Sequence, residues 1–162
     1  MYAFVEQVMR PKKPAALAAV YPGDYGLSAV ELRLLYHTIR FLEPQRVVLV
    51  RDNADQYQDL LVKLRIPVVV QSLPDLYSPE GRDLILFQAS EKLFPVPDPI
   101  RDIAASGKGR LLLLGPHRNA ASKALWDSLR SDKKLQLSLD YWFFGLMIAD
   151  PAFKEKQHFY LR

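Results

Sequence analysis

The chain contains no cysteine. That absence excludes a disulfide framework, a thiolate metal site and a thiol nucleophile, and it fits a cytoplasmic protein. Histidine is scarce as well. His37, His117 and His158 stand apart from one another, with no H-E-x-x-H or related spacing, so no metal site is expected. Long apolar runs are missing: Leu111–Leu114 and Trp142–Ala149 are too short to span a bilayer. Met1–Val20 also lacks the order of basic region, apolar core and cleavage site of a signal peptide, because Arg10, Lys12 and Lys13 follow its first apolar residues. No membrane association is expected. Neither a G-x-x-x-x-G-K-[ST] phosphate loop nor a G-x-S-x-G nucleophile elbow occurs, which argues against P-loop and serine-hydrolase chemistry. Gly107-Lys108-Gly109-Arg110 precedes a strand instead of following one, and reads as a helix cap and turn.

What is present reads as one α/β domain over residues 1–162, with residues 1–27 as a helical and irregular extension. A chain of this length buries roughly 68–70% of the surface its unfolded form exposes, enough for a core without staples. The net charge of +4 comes from small scattered basic groups, including Arg10, Lys12, Lys13, Lys108, Arg110, Lys133, Lys134, Lys154 and Lys156. A solvated surface is the simplest account of them, since solubility alone asks for a modest charge. Nucleic-acid binding is the lesser reading, because no RNP aromatic motif, zinc-finger spacing or other named module accompanies the charge.

Periodicity places the elements. Tyr2–Met9 reads as a short helix stopped by Pro11 and Pro14, and Pro22–Gly26 as a turn. Ser28 with Glu31 forms a capping box that opens a helix carrying Val30, Leu34, Leu35 and Ile39 and ending near Leu42. Arg46–Val50 is a β-branched run suited to a strand covered on both faces. Asp55–Arg65 reads as a helix, and Pro67–Val70, Asp83–Phe87 and Arg110–Leu114 as further buried strands. Phe94–Pro99 is a stiff loop, and a short helix runs from Asp98-Pro99 to Gly107. Asn119–Arg130 is a helix, followed by aromatic-rich strands at Leu135–Asp140, Phe143–Ile148 and Gln157–Leu161. Strands alternating with helices predict a mostly parallel sheet with helices on both faces.

The wording of the later segments resembles a bacterial family of class I S-adenosylmethionine-dependent methyltransferases. EPQRVVLV (Glu43–Val50), DLILFQASE (Asp83–Glu91), GPHRNAASKALW (Gly115–Trp126), LSLDYWFFGLMI (Leu137–Ile148) and KEKQHFYLR (Lys154–Arg162) stand in that family's order. The likeness covers most of Leu32–Arg162 and is most specific after Arg110. It implies a Rossmann-like fold closing on a C-terminal antiparallel β-hairpin. The departures from the family concern the cofactor. Where the family has an acidic residue and a glycine-rich loop, this chain reads Leu49, Val50, Arg51, Asp52, Asn53, and no glycine occurs between Gly26 and Gly81. Gln88, Ala89, Ser90 and Glu91 replace the acidic residue and its neighbours after the strand at 83–87, and Leu114 and Gly115 stand where an acidic pair is usual. Only one clear helix and one clear strand fit between Val50 and Asp83, so one β/α unit is expected to be missing. Asp75 is a weak substitute for the acidic ribose contact that unit carries.

By position, Arg51, Asp52, Asn53, Gln88 and His117 are the candidate cofactor contacts, with no catalytic residue assignable. His117 follows a Gly-Pro turn at the carboxyl end of a strand, where clefts form in open parallel sheets, and Asp140, at the end of its own strand, is either placed to meet it or Arg118 or is a turn residue. A solvated histidine near a helix start is the plainer alternative. For His158, beside Phe159 and Tyr160, packing is the expected role. Four consecutive aromatics, Tyr141, Trp142, Phe143 and Phe144, cannot all enter one core layer if alternate strand residues face opposite sides. They are therefore the candidate interface of a homodimer or other protein contact, the alternative being burial by flanking helices on both faces. The expected function is a methyltransferase-like domain that has lost cofactor binding and acts as a binding and assembly module, without cofactor. The alternative is an active S-adenosylmethionine-dependent methyltransferase with an atypical site and an unknown substrate, and a basic nucleic-acid-binding domain ranks third.

Overall fold

Apolar runs build the centre of the structure, a computed structural model that describes residues 2–9, 14–50, 54–71, 83–88, 100, 102, 109–150 and 152–161. The strands are β1 (Val47–Val50), β2 (Val68–Gln71), β3 (Leu84–Gln88), β4 (Arg110–Leu114), β5 (Leu137–Asp140), β6 (Phe144–Ile148) and β7 (Gln157–Tyr160). They form one sheet in the order β2-β1-β3-β4-β6-β5-β7. Strand β6 alone runs against its neighbours β4 and β5, and every other pairing is parallel. The result is a Rossmann-like, mostly parallel sheet closed by an antiparallel hairpin. Between β1 and β3 the described residues hold one helix and one strand, as the spacing of the sequence predicts.

Among the described residues the long helices that cover the sheet are α1 (Ala29–Leu42), α2 (Ala54–Lys63) and α3 (Ala120–Ser131). The capping box forms as expected, with the Ser28 side chain accepting from the Glu31 amide and the Glu31 carboxylate accepting from the Ser28 amide. Asn119 caps α3 by accepting from the Ser122 amide. Alternation along the strands decides which helix covers which face. Val47, Leu49, Leu84, Leu86, Leu112 and Leu114 pack with α1, α2 and the N-terminal segment. Val48, Val50, Ile85, Phe87, Leu111 and Leu113 pack with Ile100 and α3. Each fully buried leucine or phenylalanine here contributes roughly 1.5–3 kcal/mol relative to exposure. At the amino ends of the strands, Arg46 closes on the buried Asp83 carboxylate with three donor–acceptor contacts of 3.0–3.1 Å. This bidentate pair ties the entry of β1 to that of β3.

The short helix expected at Tyr2–Met9 is present, as a turn of α-helix at Tyr2–Phe4 continuing as π-helix over Val5–Met9. Two expectations are corrected. Val30, grouped by spacing with the core side of α1, is exposed. The aromatic quartet is not a strand. Tyr141, Trp142 and Phe143 form the β5–β6 connection, and only Phe144 lies in β6. The expected loop at 94–99, the turn before Gly109 and most of the helix at 98–107 lie outside the described residues, of which only Ile100 and Asp102 are described, both helical.

Candidate functional site

The carboxyl ends of β4 and β5 gather the polar chemistry of the described chain. Gly115 follows β4 with φ 63°, a left-handed conformation that glycine adopts without strain. The turn it opens delivers His117 and Arg118 in two directions. His117 Nε2 lies 2.8 Å and 3.0 Å from the two carboxylate oxygens of Asp140, the last residue of β5. A carboxylate only accepts, so Nε2 carries the proton and Nδ1 is the acceptor of the neutral ring. Asp140 is 3% exposed and also accepts from Trp126 Nε1 at 3.0 Å and from the Trp142 amide at 3.1 Å. Three donors around one buried carboxylate satisfy it and fix its direction. Trp142 adopts φ 68°, and its indole stacks on His117 with ring centres 5.0 Å apart. A cavity of about 30 Å³ among His117, Asp140, Trp142, Tyr160 and Leu161 has room for water and not for a cofactor.

Arg118 turns the other way. Its guanidinium donates to Glu31 at the start of α1 over 2.9 Å. Its chain lies over Gly115, where a Cβ would come within 2.7 Å of Arg118 Cγ and nearer still to Cδ. Burial alone would raise the Glu31 carboxyl, but the Ser28 amide and hydroxyl and the Arg118 charge outweigh it and hold the group below the ordinary carboxylate range. The buried Tyr57 hydroxyl of α2 is pushed up by desolvation, with the Glu31 charge adding and Arg118 opposing. One arginine thus joins β4 to the start of α1, within electrostatic reach of α2.

A second polar group lies on the α3 face, across β5 and β7. Arg130 donates to His158 Nε2 at 3.2 Å and also contacts the Tyr160 hydroxyl. Because Nε2 accepts, the proton of the neutral ring sits on Nδ1 and is donated to Ser138 Oγ over 2.6 Å. Desolvation, then the Arg130 charge, lowers the pKa of His158 and favours this neutral form. The polarity is the reverse of what nucleophile activation requires, since His158 cannot take a proton from Ser138 through a nitrogen that is donating.

The expected contacts distribute as follows. Arg51, Asp52 and Asn53, like Asp75 and Ala89–Glu91, lie outside the described residues. Gln88 ends β3 half-buried, in register with Leu114, so it shares the carboxyl edge with His117. The expected meeting of His117 and Asp140 is present. Of the aromatic quartet, Tyr141 and Phe144 are core residues; Tyr141 packs on Phe4 and shares a 3.0 Å hydrogen bond with Thr38. Only Trp142, at 56% exposure, and the half-buried Phe143 remain for an interface. His158 packs against Tyr160 and Trp126, as expected, and it also joins the Arg130–Ser138 network. The sequence reading missed Trp126 as an Asp140 donor, and missed Ser138, Arg130 and Tyr160. The signal was Gly145, an isolated strand glycine of the kind that marks a close approach. The Trp126 ring lies on it.

The sheet, its closing hairpin and its covered faces define a Rossmann-like α/β protein, and no helix among the described residues is long and apolar enough to cross a membrane. Comparison of the chain with known protein families, with curated proteins and with solved structures gives no match.

Proposed function

We propose that the chain is a methyltransferase-like domain that has given up cofactor binding and serves as a binding and assembly module, with a second copy of itself as partner. The observation that carries this reading is the fate of the side chains after β4. His117 and Arg118, which stand where a ligand would be met, are paired with Asp140 and Glu31, the first half-buried and the second at the surface. Ligand sites of cofactor size occupy about 300–1,000 Å³, against the small space left beside His117. The partner surface is the rim formed by Trp142 and Tyr160, exposed by 56% and 55%, at the open edge strand β7. An unpaired strand edge flanked by rigid aromatics is suited to extension by another strand, and a two-fold axis would make both copies use the same patch.

The His117–Asp140 pair favours a second reading, an active S-adenosylmethionine-dependent methyltransferase with an atypical site, because a carboxylate that fixes an imidazole is also how a general base is oriented. Two measurements separate the readings. Calorimetry with S-adenosylmethionine and S-adenosylhomocysteine is expected to show no binding at millimolar ligand, and micromolar binding would overturn the loss of the cofactor site. Sedimentation equilibrium is expected to show a dimer that Trp142→Ser with Tyr160→Ser weakens at least tenfold. A monomer at high concentration would refute the assembly role.

A further inference from the structure

Beside the hairpin, on the α1 side of the sheet, lies an open groove of about 380 Å³. Its walls are apolar: Met9 from the N-terminal turn, Val30 and Leu34 from α1, Phe143 from the hairpin and Leu161 after β7. One charged side chain joins them, Arg33. A neighbouring apolar hollow of about 280 Å³, toward Leu17 and Pro22, shares Val30 and Arg33, so the guanidinium stands between two apolar surfaces. Arg33 Nε is shut off from solvent and has no hydrogen-bond partner among the described residues. No ion pair joins Arg33 to an acidic group among them either.

A buried donor on a charged group without an acceptor costs more than a neutral one. Buried carboxylates among the described residues are matched within the fold, as Asp83 is by Arg46 and Asp140 by His117 and Trp126. The half-buried Arg33 has no such match among them, and it lines a space of ligand size. We propose that the groove binds a small anionic amphiphile, a carboxylate on an aliphatic chain. The carboxylate takes the two Nη–H groups of Arg33, the end of the guanidinium that is not shut off from solvent, in the bidentate manner that a planar guanidinium favours. The chain lies along Val30, Leu34, Phe143 and Leu161 and removes their apolar surface from water. Charge complementarity selects this occupant, because a wholly apolar ligand would leave the guanidinium charge unmatched and a cation would be repelled. The inference goes beyond the assembly reading and does not depend on loss of the cofactor site.

The test is titration of the whole chain with decanoate below its micellar concentration, followed by the emission of Trp142, whose indole lines the groove, and by calorimetry. Decanol, decylamine and decyl phosphate serve as matched probes. Saturable decanoate binding is expected in the micromolar range, at least tenfold tighter than decanol, with decylamine weaker still. Arg33→Gln is expected to lose tenfold or more for decanoate and little for decanol. Val30→Asp, which puts a negative charge on the exposed rim, keeps the guanidinium and should also weaken decanoate. Equal affinity for decanoate and decanol, or unchanged affinity in Arg33→Gln, would overturn the proposal. Decyl phosphate binding tightly while decanoate does not would overturn the carboxylate assignment. A self-association constant that Arg33→Gln shifts and decanoate does not would give the groove to a second copy instead. Binding of S-adenosylmethionine would refute the proposed function and leave this result standing.

Discussion

Gly145→Ala tests the packing that holds the candidate site together. Gly145 lies in β6 opposite Asp140, under the benzo ring of Trp126. A Cβ built there would sit 2.9 Å from Cη2 of that ring and closer still to Cζ3 and Cε3. The indole has nowhere to retreat, because it is 1% exposed and its Nε1 is bonded to Asp140. Forcing a methyl group into such a contact costs about 1–3 kcal/mol. If the ring tilts away to relieve it, a hydrogen bond to a charged group is lost, at roughly 1.5–3 kcal/mol. Since one escape partly replaces the other, a net loss of about 2–4 kcal/mol is expected, which lowers Tm by roughly 4–16 °C in a domain of this size. Urea unfolding followed by far-ultraviolet circular dichroism measures it, a readout that survives substitution of either of the two tryptophans of the chain. Trp126→Phe, which removes the benzo ring over Gly145, completes a double-mutant cycle. In that background the alanine should cost under about 1 kcal/mol. A loss within about 0.5 kcal/mol of zero in the parent, or an equal loss with and without the benzo ring, would refute the reasoning.

Tyr141 gives a prediction at alkaline pH. Burial pushes its hydroxyl far above the ordinary value, with the Thr38 hydrogen bond opposing, so the unfolded chain releases the proton near pH 10 while the native state keeps it. Stability is therefore intact below about pH 10 and falls above it; a urea midpoint that declines no faster in wild type than in Tyr141→Phe would contradict this. Thr38→Val leaves that buried hydroxyl without its partner and should cost about 1–3 kcal/mol at neutral pH in the same unfolding assay. His158 acts at the acid end. With its native pKa lowered by burial and Arg130, the unfolded chain takes up the proton first, and stability falls as pH drops below about 6.5. The imidazole carbon shifts should show His158 neutral at pH values where a free histidine is half protonated, and a native titration midpoint at or above the ordinary value would sink the assignment.

The elements were legible where local chemistry decides them. The unbroken runs at Val47–Val50 and Leu111–Leu114 could only be strands covered on both faces, and the Ser28–Glu31 box and Asn119 mark helix starts through bonds made within four residues. The hairpin was legible as a place but not as a shape. A run of aromatics carries the strand signal equally well when its middle two residues form a turn, and the left-handed φ of Trp142 has no mark in its residue type. The site was legible only at His117 and Asp140. Trp126, Ser138 and Arg130 reach their partners through strand register and through the docking of α3, which sequence spacing does not encode. Val30 fits the apolar stripe of α1 by period alone, yet it lines an open groove at the rim of the helix.

The bond between Thr38 and Tyr141 spans 103 residues, and that between Arg118 and Glu31 spans 87. Helix α1 leaves the ribosome well before Arg118 and Tyr141, which fix these two polar contacts, and before β5 and β6, which supply much of its apolar cover. Until then Leu35 and Ile39 of α1 and Phe4 lack the β5–β6 part of their packing surface. Loop closure over such separations makes folding slow relative to local helix formation. The nascent first half therefore spends its synthesis time with an apolar helix face unburied, the state that chaperones bind. A chain cut anywhere before the hairpin keeps that state permanently, so C-terminal truncation should be read out as aggregation long before any partner or ligand is lost.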